Sequence, residues 1–425
     1  MKLIETNQPS YLNTALHAVR PASKFRIFSA IPTMKIALSV ILTATSLIAA
    51  EPPQHLWDTS KPVPKRDELP SVPGVWFSVI KPYEFQKDGY RFLHGVALAW
   101  HKGQLFASFG HNKEGENTPA EEARYRISKD DGKTWGDVLT IDSGRDGIGV
   151  SHGVFAVHQG KLWSFNGSYR RGYVDTATRA YIYNDDGRWE PKGPVIEGGF
   201  WPLQAPTKMV DGNWIMSGVR LDKFRQKGTY PPAVAISHGD DFMKWDLVVI
   251  PVPADANIWG ESGVIVNGKQ VINIARYGAE ATALMAVSED CGRTWTESRP
   301  SNLPMATSKP CAGTLSNGQS YLIDTTTADS GDQRTPLTIA VTRPGETVFS
   351  KIFVIRRSEF PEGPGESHPK VYLSYPDAVE HNGYLYVGYS NSGGKSGRIG
   401  TGAQLTNNNS AELAVIPIQN LEVKP

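Results

Sequence analysis

Four residues suited to acid–base, nucleophilic or anion-binding chemistry occupy comparable places along the chain. Glu261 opens an apolar run in Trp259-Gly260-Glu261-Ser262-Gly263-Val264, and Arg276 closes the next in Val271-Ile272-Asn273-Ile274-Ala275-Arg276. One tight turn, Asn267-Gly268, separates the runs, so both side chains can project from the same end of one hairpin. Arg334 lies in Asp332-Gln333-Arg334-Thr335-Pro336 and Tyr375 in Leu373-Ser374-Tyr375-Pro376-Asp377. Guanidinium forks bind carboxylates bidentately and keep their charge at any working pH. The same residues also have plainer uses. A Glu–Arg pair across a hairpin makes a structural ion pair, Tyr before Pro packs at a strand start, and Arg334 suits a solvated loop.

Histidines form a second constellation. His94 precedes Gly95 and His152 precedes Gly153, 58 residues apart, while His111 follows the first hairpin. The three can gather as neutral bases or serve as backbone-bonded structural groups. No H-E-x-x-H spacing is present, and two cysteines exclude a multi-cysteine metal site, so neither a metal nor another cofactor is expected.

These residues take their places from a repeated hairpin. Turns at Lys102-Gly103, Gln159-Gly160, Asp211-Gly212, Asn267-Gly268, Asn317-Gly318 and Asn382-Gly383 each precede an apolar-aromatic run. Their glycines are 57, 52, 56, 50 and 65 residues apart. Each interval has room for four short strands, and no long amphipathic helix pattern interrupts them. Four-stranded units at this spacing read as propeller blades, whose radial closure removes exposed sheet edges. The expectation is an all-β, six-bladed β-propeller of four-stranded blades. The run Val75–Ile80 then joins the last blade beside Ala414-Val415-Ile416. A seventh blade built from residues 73–93 and the tail is the alternative.

A second signature recurs late in the repeats. Ser128-Lys129-Asp130-Asp131-Gly132-Lys133-Thr134-Trp135 and Ser288-Glu289-Asp290-Cys291-Gly292-Arg293-Thr294-Trp295 share the form S-x-D-x-G-x-T-W. Degenerate copies occur at Asn184–Trp189 and Ser237–Trp245. Their physics is structural: Asp accepts backbone N–H bonds, Gly takes a left-handed conformation, and Trp packs between blades. These segments resemble the Asp boxes of the exo-α-sialidase (neuraminidase) superfamily of BNR-repeat propellers. The resemblance covers roughly residues 73–420, and the order Glu261, Arg276, Arg334, Tyr375 follows that family's site.

The resemblance implies a secreted exo-acting glycosidase that removes a terminal acidic sugar. Arg276 and Arg334, with Arg91 in the weakest match, would bind the sugar carboxylate. Tyr375 would be the nucleophile, since an anionic one is repelled by that carboxylate, and Glu261 would take its proton. The family's acid/base Asp is missing from the loop Phe109–Thr118, so Glu114, Glu116 or His111 would have to replace it. Arg91 lies in Tyr90-Arg91-Phe92-Leu93-His94, without the Arg-Ile-Pro context of the family's first arginine. Two alternatives stay open. One is a polysaccharide lyase or rhamnosidase-like enzyme acting beside a uronic acid, with His94, His111 or His152 as base. The other is a non-catalytic glycan-binding propeller in which Trp201 and Trp259 stack on sugar faces.

The balance of charge agrees with a glycan partner. Forty-four Lys and Arg against 43 Asp and Glu leave a net charge of +1, which makes no electrostatic case for nucleic acid. Residues 34–50 combine a basic start, a short apolar stretch and small residues before Glu51, the parts of a secretory signal peptide. Residues 1–33 then form an extension upstream of the true start at Met34. The expected product is exported to the periplasm or beyond, has no membrane span after cleavage, and carries an irregular lead-in over residues 51–72. Export permits a bridge between Cys291 and Cys311.

Overall fold

A computed structural model describes residues 55–221, 229–369, 371–392 and 409–423. The proposed signal peptide and the extension before it lie outside the described residues. Six antiparallel sheets follow one another along the chain; in the first five the first strand lies at one edge and the last at the other, and the sixth is completed by an N-terminal strand. The result is the six-bladed propeller that the hairpin spacing predicts.

The first blade runs from Phe92–His101 through Gln104–Asn112 and Glu121–Ser128 to Leu139–Asp142. The second comprises Gly149–His158, Lys161–Arg170, Val174–Tyr183 and Trp189–Ile196. In the third, two short strands, Phe200–Pro202 and Thr207–Lys208, share the first position beside Trp214–Arg220. The fourth spans Ile258–Asn267 to Arg299–Pro304 and the fifth Cys311–Thr314 to Phe349–Arg356. The sixth joins Tyr372–His381, Tyr384–Ser392 and Asn409–Pro417 to the N-terminal strand Trp76–Lys81. Trp76 pairs with Val415 and Phe77 with Ala414, so the two ends of the propeller close the ring in one blade and no seventh blade is left over.

The turn chemistry explains the hairpins. Lys102 and Gly103, Gln159 and Gly160, and Asn382 and Gly383 all have positive φ at both residues, the conformation of a type I′ turn. Each seam between adjacent blades then buries its own apolar cluster. Ile339 and Leu373 lie between the fifth and sixth blades, for example, and Leu98 and Leu413 between the sixth and first. Trp135 and Trp295 pack into two of these seams.

The Asp boxes act as turn clamps. Asp130 accepts from the Thr134 backbone N–H at 2.8 Å and its hydroxyl at 2.6 Å, and Asp290 repeats the pattern at 2.8 and 2.7 Å. The left-handed conformation is taken by two successive residues, Asp131-Gly132 and Cys291-Gly292, and not by the glycine alone. Cys291 and Cys311 are both buried and unbridged. The lead-in is irregular but docked. Trp57 bridges to Phe349 and Ser71 to Val354, and Leu56, Trp57 and Leu69 enter the seam between the fourth and fifth blades.

Candidate active site

The inner strands do not run straight. Pairing shifts register between His94 and Ala97, Val150 and Gly153, Ile258 and Ser262, and Ser374 and Asp377. Irregularities of this kind re-aim side chains out of the sheet alternation. Here they turn His94, His152, Glu261 and Tyr375 toward a common cavity of about 270 Å³ to which all six blades contribute. Tyr375 itself has φ 55°, a left-handed conformation costly for an aromatic residue. The buried Lys309 ammonium donates to the following Pro376 carbonyl and helps hold that bend.

Within the cavity the Tyr375 hydroxyl donates to Glu261 Oε1. Arg276 Nη1 donates to Glu261 Oε2 at 2.5 Å and to the Tyr375 oxygen at 3.2 Å. The three groups thus form a closed triangle drawn from the fourth and sixth blades. Arg276 also lies 5.5 Å from the Trp259 ring centre. Arg334 donates to the Thr307 carbonyl at 2.8 Å and sits 5.8 Å from the rings of both Tyr372 and Tyr375. Trp201 and Trp259 form apolar wall, and Glu116, an exposed residue, also lines the cavity.

Burial dominates the electrostatics. It raises the Tyr375 phenol well above its ordinary range, with the Glu261 carboxylate adding to the effect. Although the Glu116 residue is exposed, the protein packed around its carboxyl displaces water and pushes the carboxyl up, opposed by Arg334 and Arg276 and reinforced by Glu261. Burial lowers His94 well below the usual imidazole value and His152 to about 3, so both rings are neutral near pH 7. Arg276 keeps its charge against burial because Glu261 faces it.

Of the residues singled out from sequence, Glu261, Arg276, Arg334, Tyr375, Glu116, His94 and His152 line one cavity. Three do not. Arg91 is exposed and rests 4.5 Å from the Phe85 ring centre, so it does not join the other arginines. Glu114 is exposed and does not line the cavity; its N–H bonds to Asn112 Oδ1 at 2.9 Å. His111 is buried away from the cavity, stacked on Tyr90 with ring centres 3.8 Å apart. Its ring is lowered to about 2 by burial.

Sequence reasoning passed over Glu121, Lys309 and Asp324. Glu121 lines the cavity, is buried, and is pushed up to about 7 by that burial. A signal was available: Glu121 falls in phase with the buried Ala123 and Tyr125 on one strand face. Asp324 is buried with its carboxyl raised to about 8, again by burial. Lys309, in Ser308-Lys309-Pro310, carried no pattern at all.

The family model described as BNR repeat-like domain matches residues 150–387, more than half of the chain. The chain belongs to the BNR repeat-like family. Solved BNR-type propellers are correspondingly similar in fold. A sialidase of Trypanosoma rangeli superimposes with a TM-score of 0.58 at 13% identity, over 82% of this chain and 60% of that one. The Hadza microbial sialidase Hz136 gives 0.59 at 13%, over 81% and 68%. A Dyadobacter fermentans protein of unknown function gives 0.57 at 17%, over 81% of this chain and 100% of its own. At such identities the likeness is one of fold. No curated protein matches the chain significantly. Among the described residues, no helix is long and apolar enough to cross a membrane.

Proposed function

We propose that this BNR repeat-like protein is an exo-acting glycoside hydrolase of the sialidase type, taking a terminal acidic sugar from a glycan. The observation that carries the reading is the Tyr375–Glu261–Arg276 triangle, with Arg334 opening on the same cavity. Arg276 and Arg334 hold the sugar carboxylate. Tyr375 attacks the anomeric carbon as Glu261 takes the phenolic proton, and the glycosidic bond breaks as Glu116 protonates the leaving oxygen. Water then attacks the same carbon, giving a proton to Glu116, and the tyrosyl ether bond breaks as Glu261 returns the proton to the phenol oxygen. The anomeric configuration is retained.

Two pieces of the sialidase pattern are altered. Arg91 stands outside the cavity, which leaves two arginines for the carboxylate, and a Glu replaces the acid/base Asp. His94 and His152 share the cavity, the feature that would serve elimination beside a uronic acid, but His111 does not join them. Incubation with aryl sialosides and uronic-acid glycans tests the assignment. Release of the free sugar acid supports hydrolysis. A new chromophore near ~235 nm replaces it with elimination, and binding without either product leaves a glycan-binding role. We also infer export, from the signal-like segment 34–50; N-terminal sequencing of secreted protein should begin near Glu51.

A further inference from the structure

A buried hydrogen-bond chain runs into the cavity beside the triangle and takes no part in the reaction above. The Tyr169 hydroxyl donates to Glu121 Oε2 at 2.6 Å, and the Ser151 hydroxyl donates to Glu121 Oε1 at 2.5 Å. His152 Nδ1 lies 3.0 Å from Ser151 Oγ. When Glu121 is ionised, above about pH 7, Ser151 gives its one proton to the carboxylate, and His152 Nδ1 then carries the hydrogen of the last bond. A neutral imidazole with Nδ1–H presents a lone pair at Nε2.

Among the described residues that lone pair has no partner, although His152 is only 8% exposed. Buried acceptors are normally satisfied, and an unsatisfied one on a residue that lines a cavity marks a place for a donor from outside. The ring borders the cavity between Trp201, 5.3 Å away, and Tyr375, 5.8 Å away, centre to centre. Two glycines make the room. A Cβ on Gly95 would come within 2.2 Å of the His152 ring, and one on Gly110 within 2.4 Å of Glu121 Oε1. The arrangement therefore depends on close backbone approach at two positions of the first blade.

We propose that His152 is a specificity residue whose Nε2 accepts a hydrogen bond from one hydroxyl of the bound sugar. Ser151 and Glu121 are positioning residues that fix its tautomer. The proposal rests on the reading of the cavity as a sugar-acid site. A site built around an unpaired acceptor discriminates strongly against an analogue lacking the donor.

The test is calorimetric binding of N-acetylneuraminic acid and of its monodeoxy derivatives, each lacking one hydroxyl. Wild type should bind one derivative roughly tenfold to a hundredfold more weakly than the parent. His152→Leu should bind the parent as weakly as wild type binds that derivative, and show no further loss with the derivative. His152→Gln, which keeps an acceptor near the same reach, should recover part of the discrimination. Ser151→Ala, which removes one hydroxyl only, should reduce it and serves if His152→Leu does not fold. If the variants are folded and rank the derivatives as wild type does, while Arg276→Ala still abolishes binding, the inference is wrong and the sugar-acid reading stands. If wild type binds none of these acids, or Arg276→Ala binds them unchanged, the reading fails and the inference with it.

Discussion

The Tyr375 hydroxyl donates to a carboxylate 114 positions earlier in the chain, that of Glu261, and the two residues belong to different blades. A phenol so buried, with its O–H directed at a carboxylate and its oxygen 3.2 Å from a guanidinium, is arranged to lose that proton only as a new bond forms at oxygen.

Tyr375→Phe therefore removes the reacting oxygen and little else. Hydrolysis of an aryl sialoside should fall by more than ~10³-fold, while the melting temperature and the affinity for the free acid change little. A variant with near-wild-type turnover would assign Tyr375 to packing.

Among the described residues Arg334 donates to one backbone carbonyl, that of Thr307, and its side chain lines the cavity. Arg334→Ala should raise KM for an acidic sugar roughly tenfold to a hundredfold by losing a charge-assisted bond. Reducing the sugar carboxylate to an alcohol should erase the difference between wild type and variant. A penalty that persists with the alcohol would place the arginine elsewhere in the mechanism.

Glu116 is raised above the ordinary carboxyl value of 4.5. It stays protonated to higher pH than a solvated glutamate, and turnover should decline as pH climbs through its elevated value. Glu116→Gln should abolish that alkaline limb and slow release of a sugar leaving group by ~10²–10⁴-fold. An aryl leaving group, which needs little protonation, should suffer far less. Equal losses on both substrates would exclude Glu116 as the acid.

Glu121 ties pH to stability. Its carboxyl moves from 4.5 in the unfolded chain to about 7 in the folded one, so the folded state holds the proton more tightly. The stabilisation is complete below pH 4.5 and is lost as pH rises toward 7. Glu121→Gln does not titrate there. Its stability relative to wild type should therefore increase across that window by on the order of 2–3 kcal/mol, measured as urea midpoints at matched pH. A constant difference would show that the carboxyl titrates normally.

Much of this molecule is written locally. Turn pairs such as Lys102-Gly103 and Asn382-Gly383 demand positive φ, and alternating apolar runs on either side of them can only make hairpins. With a positive-φ glycine at all six turns and clamps such as Asp130 on Thr134, these hairpins determine a ring of sheets before any long-range contact is known. The order Glu261, Arg276, Arg334, Tyr375 could be read in the same way, because each residue sits at a recognisable end of a strand or turn. Which side chains face the cavity was decided only by the folded ring. Side-chain direction in a strand flips with each residue, and a register shift reverses it again. Such shifts depend on packing between blades, which no local pattern encodes. Hence His94 enters the cavity while Arg91, three residues earlier, lies on Phe85. Glu116 lines the cavity while Glu114, two residues earlier, does not. Glu121 and Ser151, distant in sequence, become partners because Gly110 leaves space for their side chains to meet.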